Sequence, residues 1–255
     1  MKPGERISAA IGAATAQGSP ALVGFLTAGF PARERFRRDL AQVAAGCDVV
    51  EIGVPFSDPM ADGSTIQRAS FKALREGVTL PWILAQLGAA PETEKTPVLL
   101  MSYLNPLLAF GLDRLPHAAA QAGVAGFIVP DLPFEESHDL KAALEREHLA
   151  LVQMVTPVTP APRLEMLCQA AQGFVYAVTM TGTTGKSAEV PDAVLEYMDR
   201  VRRAAPVPVC AGFGIRSRTQ VARFAPHVDG VVVGSALVET LERGEDAREF
   251  LASLR

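Results

Sequence analysis

Three carboxylates lie close together in the stretch VVEIGVPFSDPMADG, which runs from Val49 to Gly63. Its first six residues are typical of a buried strand, and the two-residue period of a strand sets Glu51 opposite an all-aliphatic face. Because a lone buried carboxylate is costly, Glu51 should be paired, protonated or part of a wet site. Asp58 and Asp62 follow in a loop rich in Pro and Gly. Together these groups could perform acid–base chemistry. The alternative is that both aspartates only cap turns and the next helix.

Alternating strand-like and helix-like segments position these groups. A short N-terminal helix carrying Ile7 and Ile11 precedes the first strand. The predicted strands, which are short and β-branched as in a parallel sheet, are Ala21–Thr27, Asp48–Val54, Pro97–Ser102, Gly126–Pro130, Ala150–Val155, Gly173–Thr179, Val207–Ala211 and Gly230–Gly234. The predicted helices are Arg33–Ala45, Thr65–Arg75 with Pro81–Leu87, Leu112–Gln121, Glu135–Glu147, Ala161–Ala171, Asp192–Ala204, Arg218–Ala225 and Asp246–Leu254.

About eight βα units in 255 residues predict an α/β fold of the (β/α)8 TIM-barrel type with an extra N-terminal helix. The alternative is a doubly wound sheet, which usually has fewer strands at this length and an early glycine-rich nucleotide turn. Neither GxGxxG nor GxxxxGK[ST] occurs in the sequence. No linker or low-complexity segment interrupts residues 1–255, so we expect a single catalytic domain.

The composition excludes several classes of protein. The net charge is −4 without a long basic run, which argues against nucleic-acid binding. The longest apolar run, Val98 to Phe110, is broken at Asn105–Pro106 and is too short to cross a membrane. The start of the chain lacks the apolar region of a signal peptide. Three scattered cysteines favour a reducing compartment over a disulfide framework, so we expect a cytoplasmic protein.

Glycine-rich turns follow the seventh and eighth predicted strands, where Gly212 and Gly214 surround Phe213 and Gly234 precedes Ser235. In a barrel, backbone N–H groups at these positions commonly bind phosphate. The loop from Gly182 to Gly185 could fold over the same end as a lid. Each glycine alone would indicate only a tight turn, but adjacent strand ends carrying such turns predict a phosphate site.

The remaining predicted strand ends supply an apolar lining and few other reactive groups. The expected lining residues are Phe25, Leu100, Tyr176 and Phe213. All four histidines fall on predicted helices or on helix-to-strand loops, no strand ends in lysine, and no cluster has metal-ligand spacing. We therefore expect no metal and no Schiff base, with carboxylates between a phosphate and a flat apolar group.

These residues resemble the motifs of the tryptophan synthase α subunit family. The EIGVPFSDPMADG segment matches closely, and further matches follow in family order over nearly the whole chain. They are FLTAGFP at Phe25–Pro31, Tyr103 with Asn105–Pro106, VPDLP at Val129–Pro133, TGTTG at Thr181–Gly185, GFGI at Gly212–Ile215 and GSALV at Gly234–Val238.

The resemblance implies cofactor-free retro-aldol cleavage of indole-3-glycerol phosphate to indole and glyceraldehyde 3-phosphate. Carried over by position, Glu51 is similar to the family's proton-shuttling carboxylate, and Asp62 to the group that accepts the indole N–H. Tyr176 is similar to a tyrosine near the substrate. The phosphate cradle corresponds to Gly185, Gly214, Gly234 and Ser235, and the indole lining to Phe25, Leu100 and Phe213.

The resemblance also implies a partner, a pyridoxal-phosphate (PLP) β subunit that receives indole through a tunnel in an α2β2 complex. The PLP would belong to that partner. The residues that match the docking surface are Pro55, Asp58, Asn105 and Pro106, expected in loops two and three. Two residues depart from the family pattern: Ser64, in the catalytic loop where many relatives have proline, and Met180, at the entry of loop six. Both bear on loop dynamics and on signalling between the subunits.

Two other functions are compatible with a barrel of this size. Another phosphate-binding isomerase or synthase would usually have a lysine or a differently placed acid–base pair at its strand ends. A degenerate relative kept as a binding protein would have lost Glu51, Asp62 or the phosphate glycines. The sequence retains all of these residues and has no strand-end lysine, which favours the lyase.

Overall fold

The computed structural model describes residues 2, 4–91, 95–179, 190–212 and 214–255. Within these ranges, nine strands form one sheet in the order β5-β4-β3-β2-β1-β9-β8-β7-β6, and every neighbouring pair is parallel. The strands are β1 (Ala21–Thr27), β2 (Val49–Gly53), β3 (Val98–Met101), β4 (Val124–Ile128), β5 (Ala150–Leu151), β6 (Gln153–Val155), β7 (Val175–Val178), β8 (Val209–Gly212) and β9 (Gly230–Val233).

The two ends of this sheet are consecutive pieces of one predicted strand. β5 pairs with β4 and β6 pairs with β7, while Val152 between them donates its N–H to the Phe127 carbonyl at 2.9 Å. The chain therefore closes the ring by changing neighbours at Val152. All eight predicted strands are present, the fifth in two segments, and the predicted (β/α)8 barrel is confirmed.

Helices surround this ring and follow most of the predicted ranges. They are α1 (Glu5–Ala16), α2 (Phe36–Gly46), α3 (Ser64–Arg75), α4 (Leu80–Gly88), α5 (Leu104–Phe110), α6 (Leu115–Gln121), α7 (His138–Arg146), α8 (Ala161–Gln169), α9 (Asp192–Ala204), α10 (Arg218–Phe224), α11 (Ser235–Glu242) and α12 (Ala247–Ala252), with 3-10 turns at Arg33–Arg35 and Phe134–Glu136. Among the described residues, no helix is long and apolar enough to cross a membrane.

The predicted N-terminal helix is confirmed, and it fills the N-terminal end of the barrel. Ile7 and Ile11 are fully buried in the same cluster as Val49 and Leu99 of the barrel interior. The Ser8 hydroxyl donates to the Gly173 carbonyl at 2.6 Å, just before β7 begins. Side chains therefore fill the barrel interior at the N-terminal ends of the strands.

Strand alternation divides the core into two layers. Val50, Ile52 and Val54 lie in the outer layer between sheet and helices, whereas Val49 lies in the inner cluster. Since neighbours along a strand point to opposite faces, Glu51 faces the interior, as the sequence predicted.

The segment after β3 is a helix where the sequence predicted a loop. Asn105 and Pro106 were expected in a loop but lie in the first turn of α5. Proline is tolerated there because the first N–H groups of a helix have no intrahelical partner. The Asn–Pro pair therefore marks the start of a helix.

Candidate active site

Glu51 lies inside the barrel with almost no exposure to solvent. Its neighbours in register are Phe25 on β1 and Leu99 on β3. The side chain is 1% exposed, and Oε2 has no hydrogen-bond partner among the described residues. Burial raises the pKa of Glu51 to about 8, with a further contribution from the charge of Asp62. The carboxyl is therefore largely protonated at neutral pH and able to give up its proton to a ligand.

Asp62 lies at the end of the loop that follows β2, anchored by the start of α3. The Gln67 amide donates to the Asp62 carbonyl at 2.9 Å and, more weakly, to the Pro59 carbonyl at 3.4 Å. Burial raises the pKa of Asp62 to about 6, and a hydrogen bond from Tyr103 opposes that rise. The two carboxyls thus have separated pKa values, the arrangement that assigns one group as acid and the other as base.

Tyr103 is a site residue that sequence reasoning placed in a motif without giving it a role. Its hydroxyl accepts the Ala61 N–H at 2.8 Å and donates to the Asp62 carboxylate. Its ring contacts Phe56, with centroids 5.2 Å apart. Burial raises the pKa of Tyr103 to about 12, so its hydroxyl remains a donor at neutral pH. A tyrosine at the end of a predicted barrel strand was the available signal.

We expect Tyr103→Phe to raise the pKa of Asp62 further above about 6, because the donor that stabilises the carboxylate is lost. The loss of a hydrogen bond to a charged group should make the Asp62 carboxyl about a tenfold weaker acid. Carboxyl-carbon NMR of the aspartates over a pH series measures this change. An unchanged Asp62 titration in a folded variant contradicts the assigned role of Tyr103.

An apolar cleft lies beside Asp62 and is bounded by Phe25, Ile66 and Met101. Gly53 leaves room for the Phe25 ring, because a Cβ at that position would lie 2.6 Å from Phe25 Cζ and the ring would have to move. The cleft thus offers a mostly apolar surface next to Asp62.

The expectation for Leu100 requires correction. Leu100 is in register with Ile52 and Phe127, and all three belong to the outer layer. Its side chain therefore faces the helices, whereas Met101, one residue on, borders the cleft. The reason is the period of a strand, by which a shift of one residue moves a side chain to the other face.

Tyr176 lies on β7, on the opposite side of the barrel from Phe25. A Cβ on Gly212 would lie 2.6 Å from Tyr176 Cε1, so the ring packs directly on the β8 backbone. Burial, and then the nearby charge of Glu51, raises the pKa of Tyr176 well above its usual value. The tyrosine thus remains neutral close to Glu51. Phe213, predicted beside it, lies outside the described residues.

The predicted phosphate residues lie at the carboxyl ends of β8 and β9. Gly214 has φ +69°, and the space where Gly234 would carry a Cβ is open to 4 Å. Ser235 begins α11, whose first N–H groups and dipole favour an anion. All three residues are partly exposed, so a ligand can reach them. Gly185 lies outside the described residues, as do Met180 and the rest of 181–189.

The four residues predicted at a partner surface differ in accessibility. Asp58 and Asn105 are exposed and Pro106 is half-buried, but Pro55 is buried, which leaves it little surface to offer a partner. Two exposed apolar side chains accompany them, Met60 at 83% and Leu108 at 51% exposure. Sequence reasoning did not single out either residue, because exposure depends on how the loop and α5 fold.

In the described part of the chain, no group of three or more His, Cys, Asp or Glu side chains is arranged to hold a metal ion. The three cysteines are buried and unpaired.

Comparisons with known proteins agree on one family. The family model described as tryptophan synthase alpha chain matches residues 11–254. Proteins of that name from Solidesulfovibrio magneticus and Desulfovibrio desulfuricans are 46% and 45% identical, over 95% of this chain and 95% and 96% of their own. A chain of tryptophan synthase from Mycobacterium tuberculosis superposes with a TM-score of 0.88 at 37% identity, covering 98% of both chains. The tryptophan synthase subunit alpha of Legionella pneumophila gives 0.87 at 31% identity, covering 98% of this chain and 96% of its own.

Proposed function

Because the chain belongs to the tryptophan synthase alpha chain family, we propose that this enzyme subunit cleaves indole-3-glycerol phosphate to indole and glyceraldehyde 3-phosphate. One observation carries the proposal. The buried Glu51 faces the barrel interior with an oxygen that has no hydrogen-bond partner among the described residues, and the charge of a second carboxyl, Asp62, reaches it. This pair matches a reaction that protonates a carbon and stabilises a cationic ring.

Glu51 and Asp62 have different tasks in this reaction. Glu51, largely protonated at neutral pH, donates its proton to indole C3 and gives an indolenine. Asp62 accepts the ring N–H and stabilises the positive charge that develops there. The Glu51 carboxylate then takes the proton of the glycerol hydroxyl as the carbon–carbon bond breaks, which restores the acid and releases an aldehyde and indole. Tyr103 holds Asp62 in place for these steps.

The other ends of the substrate have their own contacts. Gly214, Gly234 and Ser235 bind the phosphate through backbone N–H groups and the dipole of α11. The indole ring lies against Phe25 and Met101, with Tyr176 on the far side of the barrel. Gly185 and Phe213 remain proposed contacts on the strength of the sequence alone.

The proposed partner is a PLP-dependent β subunit in an α2β2 assembly, to which indole passes for the synthesis of tryptophan. PLP would be held by that partner, and this chain acts without a cofactor. Exposed residues on two neighbouring elements support a docking surface, which comprises Asp58, Met60, Asn105, Pro106 and Leu108. Exposed apolar side chains within a polar rim are typical of such surfaces.

The rate of cleavage should depend on pH with a maximum between two limbs. Activity requires Asp62 ionised and Glu51 protonated, so kcat/KM should rise as pH passes about 6 and fall as it passes about 8. These apparent values belong to the coupled pair. Steady-state rates from pH 5 to 9.5 measure the profile. A rate that keeps rising above pH 9 contradicts the role of Glu51 as the acid.

The first test of the function is steady-state release of glyceraldehyde 3-phosphate from indole-3-glycerol phosphate, with and without a cognate β subunit. We expect weak turnover alone and a clear increase in the complex. Turnover that ignores the β subunit would keep the lyase and remove the channelling complex. Substrate binding without turnover in either case would leave a binding protein instead.

A further inference from the structure

Glu239 joins three elements of the barrel at its surface. Arg216 binds it with two hydrogen bonds, from Nη1 to Oε2 at 2.8 Å and from Nη2 to Oε1 at 3.0 Å. The Thr65 hydroxyl donates to the same Oε1 at 3.2 Å. The Glu239 side chain is 27% exposed, and the Arg216 contacts lower its pKa, so it is a carboxylate at neutral pH.

Each of these elements also carries part of the proposed site. Arg216 lies two residues after Gly214, and Glu239 lies one turn along the helix that begins at Ser235. Thr65 is in the first turn of α3, which begins shortly after Asp62. The three-residue network therefore links both phosphate turns to the loop that ends in Asp62.

The start of α3 is in turn attached to Asp62. Gln67, two residues after Thr65, donates its side-chain amide to the Asp62 carbonyl at 2.9 Å and its N–H to the Gly63 carbonyl at 3.0 Å. A displacement of the first turn of α3 consequently moves the Asp62 backbone with it. Tyr103 restrains the same loop by accepting the N–H of Ala61 and donating to Asp62.

We propose that Glu239 is a positioning residue that couples phosphate binding at Gly214, Gly234 and Ser235 to the placement of Asp62, through Thr65. The inference rests on the proposed function, since it assigns the phosphate end of that same site. Binding energy from a part of the substrate that does not react is then used to orient the group that stabilises the indolenine. Bound phosphate holds the turn after β8 and the start of α11 together. Arg216, Glu239 and Thr65 then restrain the first turn of α3 against them.

A second ion pair provides a matched control. Arg68 on α3 and Glu242 on α11 are 2.6 Å apart and join the same two helices farther from the site. Both pairs are partly exposed. Pairs of this kind contribute little to stability, so loss of either should leave the fold intact. Of these two networks, the one at Glu239 includes Thr65, in the first turn of α3 that holds Asp62.

The kinetic test compares Glu239→Ala, Thr65→Val, their double variant and Glu242→Ala in indole-3-glycerol phosphate cleavage by the αβ complex. We expect Glu239→Ala to lower kcat about tenfold and to raise KM. Thr65→Val should lower kcat with KM nearly unchanged, because phosphate is still bound but Asp62 is no longer held. The double variant should be no worse than Glu239→Ala. Glu239→Gln, which keeps an acceptor for Thr65, should recover part of kcat.

An NMR titration with inorganic phosphate tests the coupling without turnover. In the wild type and in Glu242→Ala, phosphate should shift the amide resonances of both Ser235 and Asp62. In Glu239→Ala and Thr65→Val, the Ser235 shift should remain and the Asp62 shift should be lost. An Asp62 response that survives Glu239→Ala, or equal kinetic losses in Glu239→Ala and Glu242→Ala, overturns the proposal. If the wild-type complex does not cleave the substrate, the proposed function fails, and the titration alone decides the coupling.

Discussion

Replacing Glu51 with glutamine should lower the rate of indole-3-glycerol phosphate cleavage about 10³-fold. Glutamine has nearly the same shape but can neither deliver a proton to indole C3 nor remove one from the glycerol hydroxyl. Because Oε2 of Glu51 has no hydrogen-bond partner among the described residues, the substitution breaks no hydrogen bond of that oxygen within them. The loss should therefore appear in kcat, with substrate affinity by calorimetry changed by no more than about threefold.

The stability of the Glu51→Gln variant is a separate control. The pKa of Glu51 is about 8 in the folded protein against an ordinary value of 4.5, so the folded state retains a proton that the unfolded state releases. The free energy of unfolding of the wild type should fall as pH rises from about 4.5 to about 8 through this group. Urea denaturation at pH 5 and pH 9 measures this free energy of unfolding. Between these two pH values it should fall less in the variant than in the wild type. Near-full turnover in a folded Glu51→Gln variant would falsify the assignment.

Replacing Asp62 with asparagine should lower kcat about 10²-fold, since the variant has no charge to stabilise the indolenine. The pH profile carries a second signature. The acid limb near pH 6 should vanish, because the group that must ionise is gone. The alkaline limb should move below pH 8, because the Asp62 charge no longer raises the pKa of Glu51.

Asp139→Asn is the matched control for this profile, since Asp139 is an exposed carboxylate on the outer helix α7. It should retain both limbs and the wild-type rate. An acid limb that persists in Asp62→Asn would assign that ionisation to another group and remove Asp62 from the mechanism.

Local patterns were sufficient for the features of this fold that repeat along the chain. The alternation around Glu51 predicted its inward direction, and the spacing of apolar runs predicted the barrel. Leu100 and Met101 show where such patterns stop. Both are apolar and adjacent, and only the register of β3 against β2 shows which of them faces the interior.

The features that were missed depend on contacts between distant parts of the chain. Tyr103 meets Ala61 across 42 positions, and Thr65 meets Glu239 across 174. No local pattern records such partners, because each residue alone is typical of a turn or a helix surface. Pro106 is a simpler case, since the same residue can end a loop or begin a helix.

The packing of α1 against the barrel interior closes the barrel at its N-terminal end and leaves the other end open. Ile7 and Ile11 pack with Val49 and Leu99 at the N-terminal end. A small apolar product cannot leave the barrel through such packing. In the proposed reaction, the released indole leaves by the opposite end of the barrel, where Asp58 and Asn105 are exposed. In the proposed complex, the helix that closes one end of the barrel therefore determines from which end a partner would receive the product.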